Sequence, residues 1–451
     1  MLKLNKLVRI SLRYRHTGVT PEFWAAEAEK LDWFKKWDKL LDNTNPPFTK
    51  WFVGGKMNTC YNAIDRHVLD GYGNSPAVYY DSPVTKSKRT LTYNEMLREV
   101  TKLGAALRNL GVKKGDVVLI YMPMIPQALI SMLASSRIGA IHSLVFGGFA
   151  ARQLASRISH SKPTVILTAT FGVEPNREIP YLPIVAEALQ IADYSPKAIV
   201  VHSRTPVSEK TYDHDIERLH SFGHTVERFA EVTSKAQNTK CDALPIDAND
   251  PLYVLYTSGT TGEPKAPVRP SGGHAVALHW SMNGLYGLKP GEAWASLSDL
   301  GWVVGHSYIC YGPLLHRNPT ILYEGKPIGT PDAGAIFRLI NEYKCSSVFL
   351  SPTALRAVKR VDPDGGHGKR YNIDSLRSVF VAGEHLDPAT MIWTRERFPG
   401  LPVIDHWWQT ETGWAITSTC IGNKNPQDIK HPPLSSAGKA SPGWQGNISK
   451  M

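Results

Sequence analysis

From about residue 90 the chain alternates between two hydrophobic periods, and this alternation limits the fold more than any other feature. Thr92-Tyr93-Asn94-Glu95 has the form of a capping box, a hydroxyl and a carboxylate that satisfy backbone donors at a helix start. Leu97, Val100, Leu103, Leu107 and Leu110 follow at helical spacing, and Gly111 ends the run. Val117-Val118-Leu119-Ile120-Tyr121 then reads as a buried strand, and a helix beginning near Pro126 runs through Met132 to Gly139. The apolar run Ile141 to Phe146, strands at Val165-Ile166-Leu167-Thr168 and Ala198-Ile199-Val200-Val201, and a helix over Pro183 to Ala192 continue the pattern. Residues 203–250 are more polar and mark a junction, after which Leu252-Tyr253-Val254-Leu255-Tyr256 starts a second set. Apolar strands alternating with amphipathic helices predict an α/β fold of mostly parallel sheets covered by helices on both faces. The expected divisions are a cap segment over 16–89, a first α/β subdomain over 90–250, a second over 251–443 and a short tail over 444–451.

Val117 to Ser136 is an uncharged stretch of membrane-spanning length. Pro123 and Pro126 interrupt it, so it divides into the strand and the helix and predicts no membrane span. The net charge of +11 suits anionic partners. Lys and Arg form no dense run, however, and no nucleic-acid-binding signature is present, so phosphate-rich small ligands fit and nucleic acid is not expected. The five cysteines, Cys60, Cys241, Cys310, Cys345 and Cys420, are odd in number and well separated, which argues against a disulfide framework or a cysteine zinc site. Lys3, Lys6, Arg9, Arg13 and Arg15 alternate with Leu2, Leu4, Leu7, Val8, Ile10 and Leu12, without Asp or Glu. A basic, acid-free, amphipathic start reads as a mitochondrial leader over 1–15 and a matrix location, the alternative being a basic terminus on a cytoplasmic protein. The sequence leaves the oligomeric state open.

The strongest local signal is Tyr256-Thr257-Ser258-Gly259-Thr260-Thr261-Gly262-Glu263-Pro264-Lys265. A strand runs directly into a loop dense in glycine and hydroxyls, closed by a lysine. Glycine lets backbone N–H groups turn toward an anion, hydroxyls donate further hydrogen bonds, and the lysine adds a point charge. This is a phosphate-cradling loop, although its glycine-to-lysine spacing is not that of a Walker A motif.

The loop resembles the phosphate-binding signature of the adenylate-forming superfamily. Asp405-His406-Trp407-Trp408-Gln409-Thr410-Glu411-Thr412-Gly413, about 150 residues on, resembles that superfamily's nucleotide motif, and its double tryptophan is similar to the acetyl- and propionyl-CoA synthetase branch. Phe23-Trp24, Tyr121-Met122-Pro123 and Gly301-Trp302-Val303-Val304-Gly305-His306-Ser307-Tyr308 extend the likeness over nearly the whole chain after the leader. The resemblance implies ATP-dependent ligation of a short-chain carboxylate to CoA through an acyl-adenylate. It places Thr257, Ser258, Gly259, Thr260, Thr261, Gly262 and Lys265 around the phosphates, with Gly383, Glu384, His385 and Asp405 to Thr410 around adenine and the α-phosphate. Glu411 would be the Mg²⁺ ligand, a hard carboxylate suited to that ion.

The same resemblance assigns Trp302, Val303, Val304, Ala382 and Trp408 to the acyl pocket. Ala382 stands where acetate enzymes carry valine, and Val304 where they carry threonine; the extra room and lower polarity favour propionate over the alternative, acetate. Phe146, Gly147, Gly148 and Arg177 would meet CoA, while Glu174 occupies a position where the family has a second arginine. Arg177 taken alone reads equally as a surface arginine.

Three departures qualify the likeness. Ala266-Pro267 follows the loop lysine where the family has glycine and an aliphatic residue, and His385 replaces a proline. Beyond Ala437-Gly438-Lys439-Ala440-Ser441-Pro442-Gly443 the pattern dissolves. No counterpart of the ribose-binding aspartate motif, the hinge or the small C-terminal domain with its catalytic lysine follows. The expectation is therefore an adenylation domain whose strand-rich third subdomain is incomplete and whose C-terminal domain is absent. Such a chain would have impaired turnover or act as a non-catalytic nucleotide- or partner-binding form.

Overall fold

The computed structural model describes residues 20–175, 177–205, 213–257, 265–422, 424, 429 and 431–444. The expected leader over 1–15, Ser258 to Gly262 of the phosphate loop, and residues 445–451 lie outside them.

Two seven-stranded sheets are built side by side among the described residues. The first has the spatial order Val226–Arg228, Ala198–His202, Val165–Ala169, Val117–Tyr121, Ile141–Leu144, Pro251–Val254 and Val268–Pro270. All neighbours are parallel except the last pair. The second runs Val403–Asp405, Ser378–Val381, Ser347–Leu350, Trp294–Ser296, Thr320–Tyr323, Pro76–Ser82 and Ser87–Thr92. Only its terminal hairpin is antiparallel. The strands Val165–Ala169, Thr320–Tyr323, Ser347–Leu350 and Ser378–Val381 are buried at every residue, as parallel strands covered on both faces must be.

Local sequence explains the elements. The Tyr93–Asn109 helix starts with the capping box in place: Glu95 N–H donates to Thr92 Oγ1 at 3.2 Å, and Thr92 N–H donates to a Glu95 carboxylate oxygen at 2.9 Å. The uncharged stretch divides at its prolines into the Val117–Tyr121 strand and the almost wholly buried Pro126–Arg137 helix. No helix among the described residues is long and apolar enough to cross a membrane. The five cysteines are all unpaired. Near the start, the Pro21–Ala28 helix places Trp24 against Trp280 and Trp414, each ring pair 5.7 Å apart.

In both sheets the parallel strands deliver their loops from their C-terminal ends, the edge at which open α/β sheets form ligand crevices. Among the described residues, the candidate site segments lie at the ends of such strands, on the loops that leave them or on the strands returning from those loops.

Candidate functional site

Ser378–Val381 and Val403–Asp405 are adjacent parallel strands, with Val381 opposite Asp405. Their continuations, Ala382-Gly383-Glu384-His385 and His406-Trp407-Trp408, therefore emerge together. Three contacts fix them. His406 Nδ1 lies 2.8 Å from the Val381 carbonyl, which can only accept, so Nδ1 carries the proton. His406 Nε2 then accepts from the Tyr286 hydroxyl at 3.1 Å. Leu386 N–H donates to Asp405 Oδ2 at 3.2 Å, which ties the first loop back to the second strand. His406 is buried, and burial pushes its imidazole down to about 4, so it serves as a neutral strut. Burial also raises the Asp405 carboxyl, with His385 Nδ1 3.7 Å from Oδ2.

Gly383 has φ +115° with open space where a Cβ would lie, so it is the backbone turn and not crowding that calls for glycine. Glu384 is exposed and held by the Thr353 hydroxyl and by Arg356, the hydroxyl chiefly lowering its carboxyl below the usual range. His385 is exposed as well, so the loss of the family's proline leaves an imidazole at the surface beside Asp405.

The phosphate loop is closed at its base. Thr257 N–H donates to the Lys265 carbonyl at 2.9 Å, and Lys265 N–H returns the bond at 3.2 Å. Lys265 is exposed. The two loop departures are accommodated locally. Ala266 is not among the residues with positive φ, and Pro267 still accepts from Leu255 N–H at 3.2 Å while lacking the donor for the return bond.

The acyl-pocket candidates do not all share one environment. Ala382 is buried, and Val303, Val304 and Trp408 pack partly buried against the same core cluster. Trp408 lies edge-on to Tyr308, centroids 5.5 Å apart, and 6.2 Å from Phe349. Trp302 instead is 45% exposed and lies tilted against Phe146, ring centroids 5.2 Å apart, which brings an acyl candidate against a CoA candidate. Trp407 is likewise exposed; its backbone pairs with Thr417.

Phe146, Gly147, Gly148 and Arg177 line a cavity of about 540 Å³ between the two sheets, together with Tyr181, Asp299, Glu324 and Lys326. Arg177 is exposed on the rim. Glu174, opposite it in a short hairpin, pairs with Lys326 at 3.3 Å, so the acid where a second arginine was expected is neutralised by a lysine from the other sheet. Asp299 is half-buried in the wall and its carboxyl is raised by desolvation, with Gly301 N–H donating to it at 2.7 Å.

Gln409 to Gly413 form a tight turn, with Gly413 N–H donating to the Gln409 carbonyl at 3.1 Å. Thr410 is half-buried and Glu411 exposed, and the Glu411 carboxylate has no hydrogen-bond or ion-pair partner among the described residues. A free, solvated carboxylate is a fitting ligand for a hard divalent cation. No group of three or more metal-ligating side chains gathers among the described residues, so an ion held here would complete its shell with substrate phosphates and water. Sequence reasoning gave no role to Arg269, whose guanidinium donates to the carbonyls of Thr410 and Glu411, or to Ser307, whose hydroxyl donates to the Gly413 carbonyl. Ser307 was visible only as a letter in a family string, and Arg269 carried no signal.

Comparison with known proteins gives two family matches. Residues 65–448 match the family described as AMP-binding enzyme, and residues 18–63 match the acetyl-coenzyme A synthetase N-terminus. Among curated relatives, acyl-CoA synthetase short-chain family member 3, mitochondrial, of Bos taurus is 52% identical over 94% of this chain and 59% of its own length. Acyl-CoA synthetase short-chain family member B, mitochondrial, of Dictyostelium discoideum is 40% identical over 95% of this chain and 60% of its own. A propionate--CoA ligase of Escherichia coli is 39% identical over 91% of this chain and 63% of its own. The chain thus spans about 60% of the length of the curated relatives it matches. The family match covers most of the sequence, from ahead of the first sheet to beyond the nucleotide motif: the chain belongs to the AMP-binding enzyme family.

Proposed function

We propose that the chain binds ATP with Mg²⁺ and a short-chain carboxylate, propionate in preference to acetate, and joins them as an acyl-adenylate with release of pyrophosphate, after which the CoA thiol attacks the acyl carbon and AMP leaves. The observation that carries this reading is the convergence at two adjacent strand ends. Gly383 to His385 and Asp405 to Trp408 leave side by side, with Ala382 buried at the root and Trp408 closing the same core.

The residues divide the work. Lys265 sets a positive charge where the phosphate loop closes, and the hydroxyls of that loop supply donors to the phosphates. Gly383 turns the backbone so that it can approach a flat base without a side chain in the way. Glu411 would hold Mg²⁺, which when bound neutralises charge on the phosphates. Donors fixed before substrate arrives stabilise the charge that builds as the carboxylate attacks the α-phosphate. The cavity lined by Phe146, Gly147, Gly148 and Arg177 would take CoA, with Arg177 offering positive charge to its phosphates. The mitochondrial names of the relatives and the basic, acid-free start together support a matrix location.

The test is calorimetric titration of the 451-residue protein with Mg·ATP and with a stable propionyl-adenylate mimic, the acyl sulfamoyl adenosine. Because the mimic occupies the nucleotide and acyl sites at once, it should bind about a hundredfold tighter than ATP or more. A protein that binds neither, or binds the mimic no better than ATP, would refute the reading.

A further inference from the structure

Arg269 sits mid-strand in Val268–Pro270, four residues after the lysine that closes the phosphate loop. Its side chain crosses to the nucleotide motif. Nη2 donates to the Thr410 carbonyl at 2.5 Å, and Nη1 donates to the Glu411 carbonyl at 3.1 Å. Nε donates to the Tyr253 hydroxyl at 3.3 Å, and Tyr253 is the residue opposite Arg269 in the strand pair. The turn rests on the guanidinium itself. Gly413, at φ +77°, would place a Cβ 2.8 Å from Arg269 Cζ, so only glycine allows this approach.

From the other side, fully buried Ser307 donates through Oγ to the Gly413 carbonyl at 2.6 Å. Ser307 belongs to the His306–Tyr311 helix that follows Trp302. The turn is therefore gripped between the strand leaving the phosphate loop and the segment carrying an acyl-wall candidate. Two parallel donors of one planar guanidinium on consecutive carbonyls fix peptide planes in a way that one lysine ammonium cannot. The grip takes up only the backbone of Glu411 and leaves its carboxylate free.

We propose that Arg269 is a positioning residue that holds the Thr410–Gly413 turn, and with it the Glu411 carboxylate, in fixed register with the Val268–Pro270 strand and the Pro251–Val254 strand it pairs with. The inference rests on the reading of Glu411 as the Mg²⁺ ligand. Partners that orient a metal ligand typically account for about 10–100-fold in metal affinity. A lost grip should thus weaken the Mg²⁺-dependent part of ATP binding far more than the metal-independent part.

The experiment measures ATP affinity of the 451-residue protein by calorimetry, once with Mg²⁺ and once in EDTA, for wild type, Arg269→Lys, Glu411→Gln and the double variant. In wild type, Mg²⁺ should tighten ATP binding. Arg269→Lys should erase about tenfold of that gain while its affinity in EDTA stays within about twofold of wild type, and in the Glu411→Gln background it should cost nothing further. If Arg269→Lys does not melt cooperatively, Ser307→Ala, which loosens the same turn from its other side, takes its place with the same expected selectivity. Equal losses with and without Mg²⁺, full retention of the Mg²⁺ gain, or a further loss in the double variant would overturn the inference while leaving the nucleotide reading intact. A wild-type protein that gains nothing from Mg²⁺ would overturn the Glu411 assignment itself.

Discussion

Ala382 shows how much one side chain can decide and how little of its setting a sequence reveals. Its identity suggested room for an extra methylene only through likeness to enzymes that carry valine there. The structure adds that it is buried, 4% exposed, at the root of the loop that leads to Gly383, with Trp408 and Val304 packed on the same cluster. A buried residue of that kind changes pocket volume directly when enlarged. In calorimetric competition between propionyl and acetyl sulfamoyl adenosine, the wild-type protein should favour the propionyl form by about tenfold, the worth of one well-buried methylene. Ala382→Val should bring the ratio close to one, mostly by penalising the propionyl form, and Trp408→Gly should admit butyryl and longer mimics. A wild-type preference for the acetyl form, or a ratio untouched by Ala382→Val, would remove Ala382 from the pocket. Arg269 makes the opposite case. A lone arginine between Val268 and Pro270 predicts nothing, because its role is set by two carbonyls some 140 residues away, and long-range backbone acceptors leave no mark in sequence.

At the scale of elements, local chemistry was legible wherever it was self-contained. The Thr92–Glu95 capping box, the proline division of the uncharged stretch and the apolar strands at 117, 165 and 198 depend on neighbours in sequence and are found in the fold. The strand-end junctions depend on neighbours in space. There, buried histidines act as neutral struts: His406 bridges Val381 and Tyr286, and His306 Nδ1 reaches the Trp302 carbonyl at 3.1 Å. Burial holds both at about 4, against an ordinary value near 6.5. Above pH 6.5 each is neutral whether folded or unfolded. Between about 6.5 and 4 the unfolded chain takes up a proton that the folded one refuses, so stability falls as pH falls, by about 1.4 kcal/mol per pH unit for each such histidine. Denaturant melts between pH 7 and 5 should show this loss. Glutamine, which can keep a donor and an acceptor without titrating, should make the slope shallower in His406→Gln. A stability that stays flat over that range would show that these imidazoles are solvated in the native protein.

At the scale of the whole molecule, the sequence told that two strand sets exist but not how they meet. Pro76–Thr92 precedes the first sheet in sequence yet completes the second, and nothing in a hairpin's residues says which distant edge it will join. The junction between the sheets is closed by a pair equally hidden. Arg204 follows Ala198–His202 in one sheet, and Glu324 follows Thr320–Tyr323 in the other. Two parallel bonds of 2.8 Å join them, the Tyr80 hydroxyl donates to the same carboxylate at 2.7 Å, and Arg204 also donates to the Phe171 carbonyl at 3.0 Å. Both side chains are under one-tenth exposed, and Glu324 lines the cavity proposed for CoA. A buried pair contributes little over a well-packed apolar one, but removing one partner strands the other charge. Arg204→Met should therefore destabilise the protein by about 3–5 kcal/mol in denaturant melts, while Arg204→Met with Glu324→Leu should recover much of that loss because no charge is left buried. The double variant should still bind CoA more weakly, since the two strand ends that frame the cavity are no longer pinned to one geometry. If the single variant costs under about 1 kcal/mol, the pair is hydrated and does not clamp the sheets. If the double variant is no more stable than the single one, the loss comes from packing around Arg204, and Phe171 rather than Glu324 is the partner that matters.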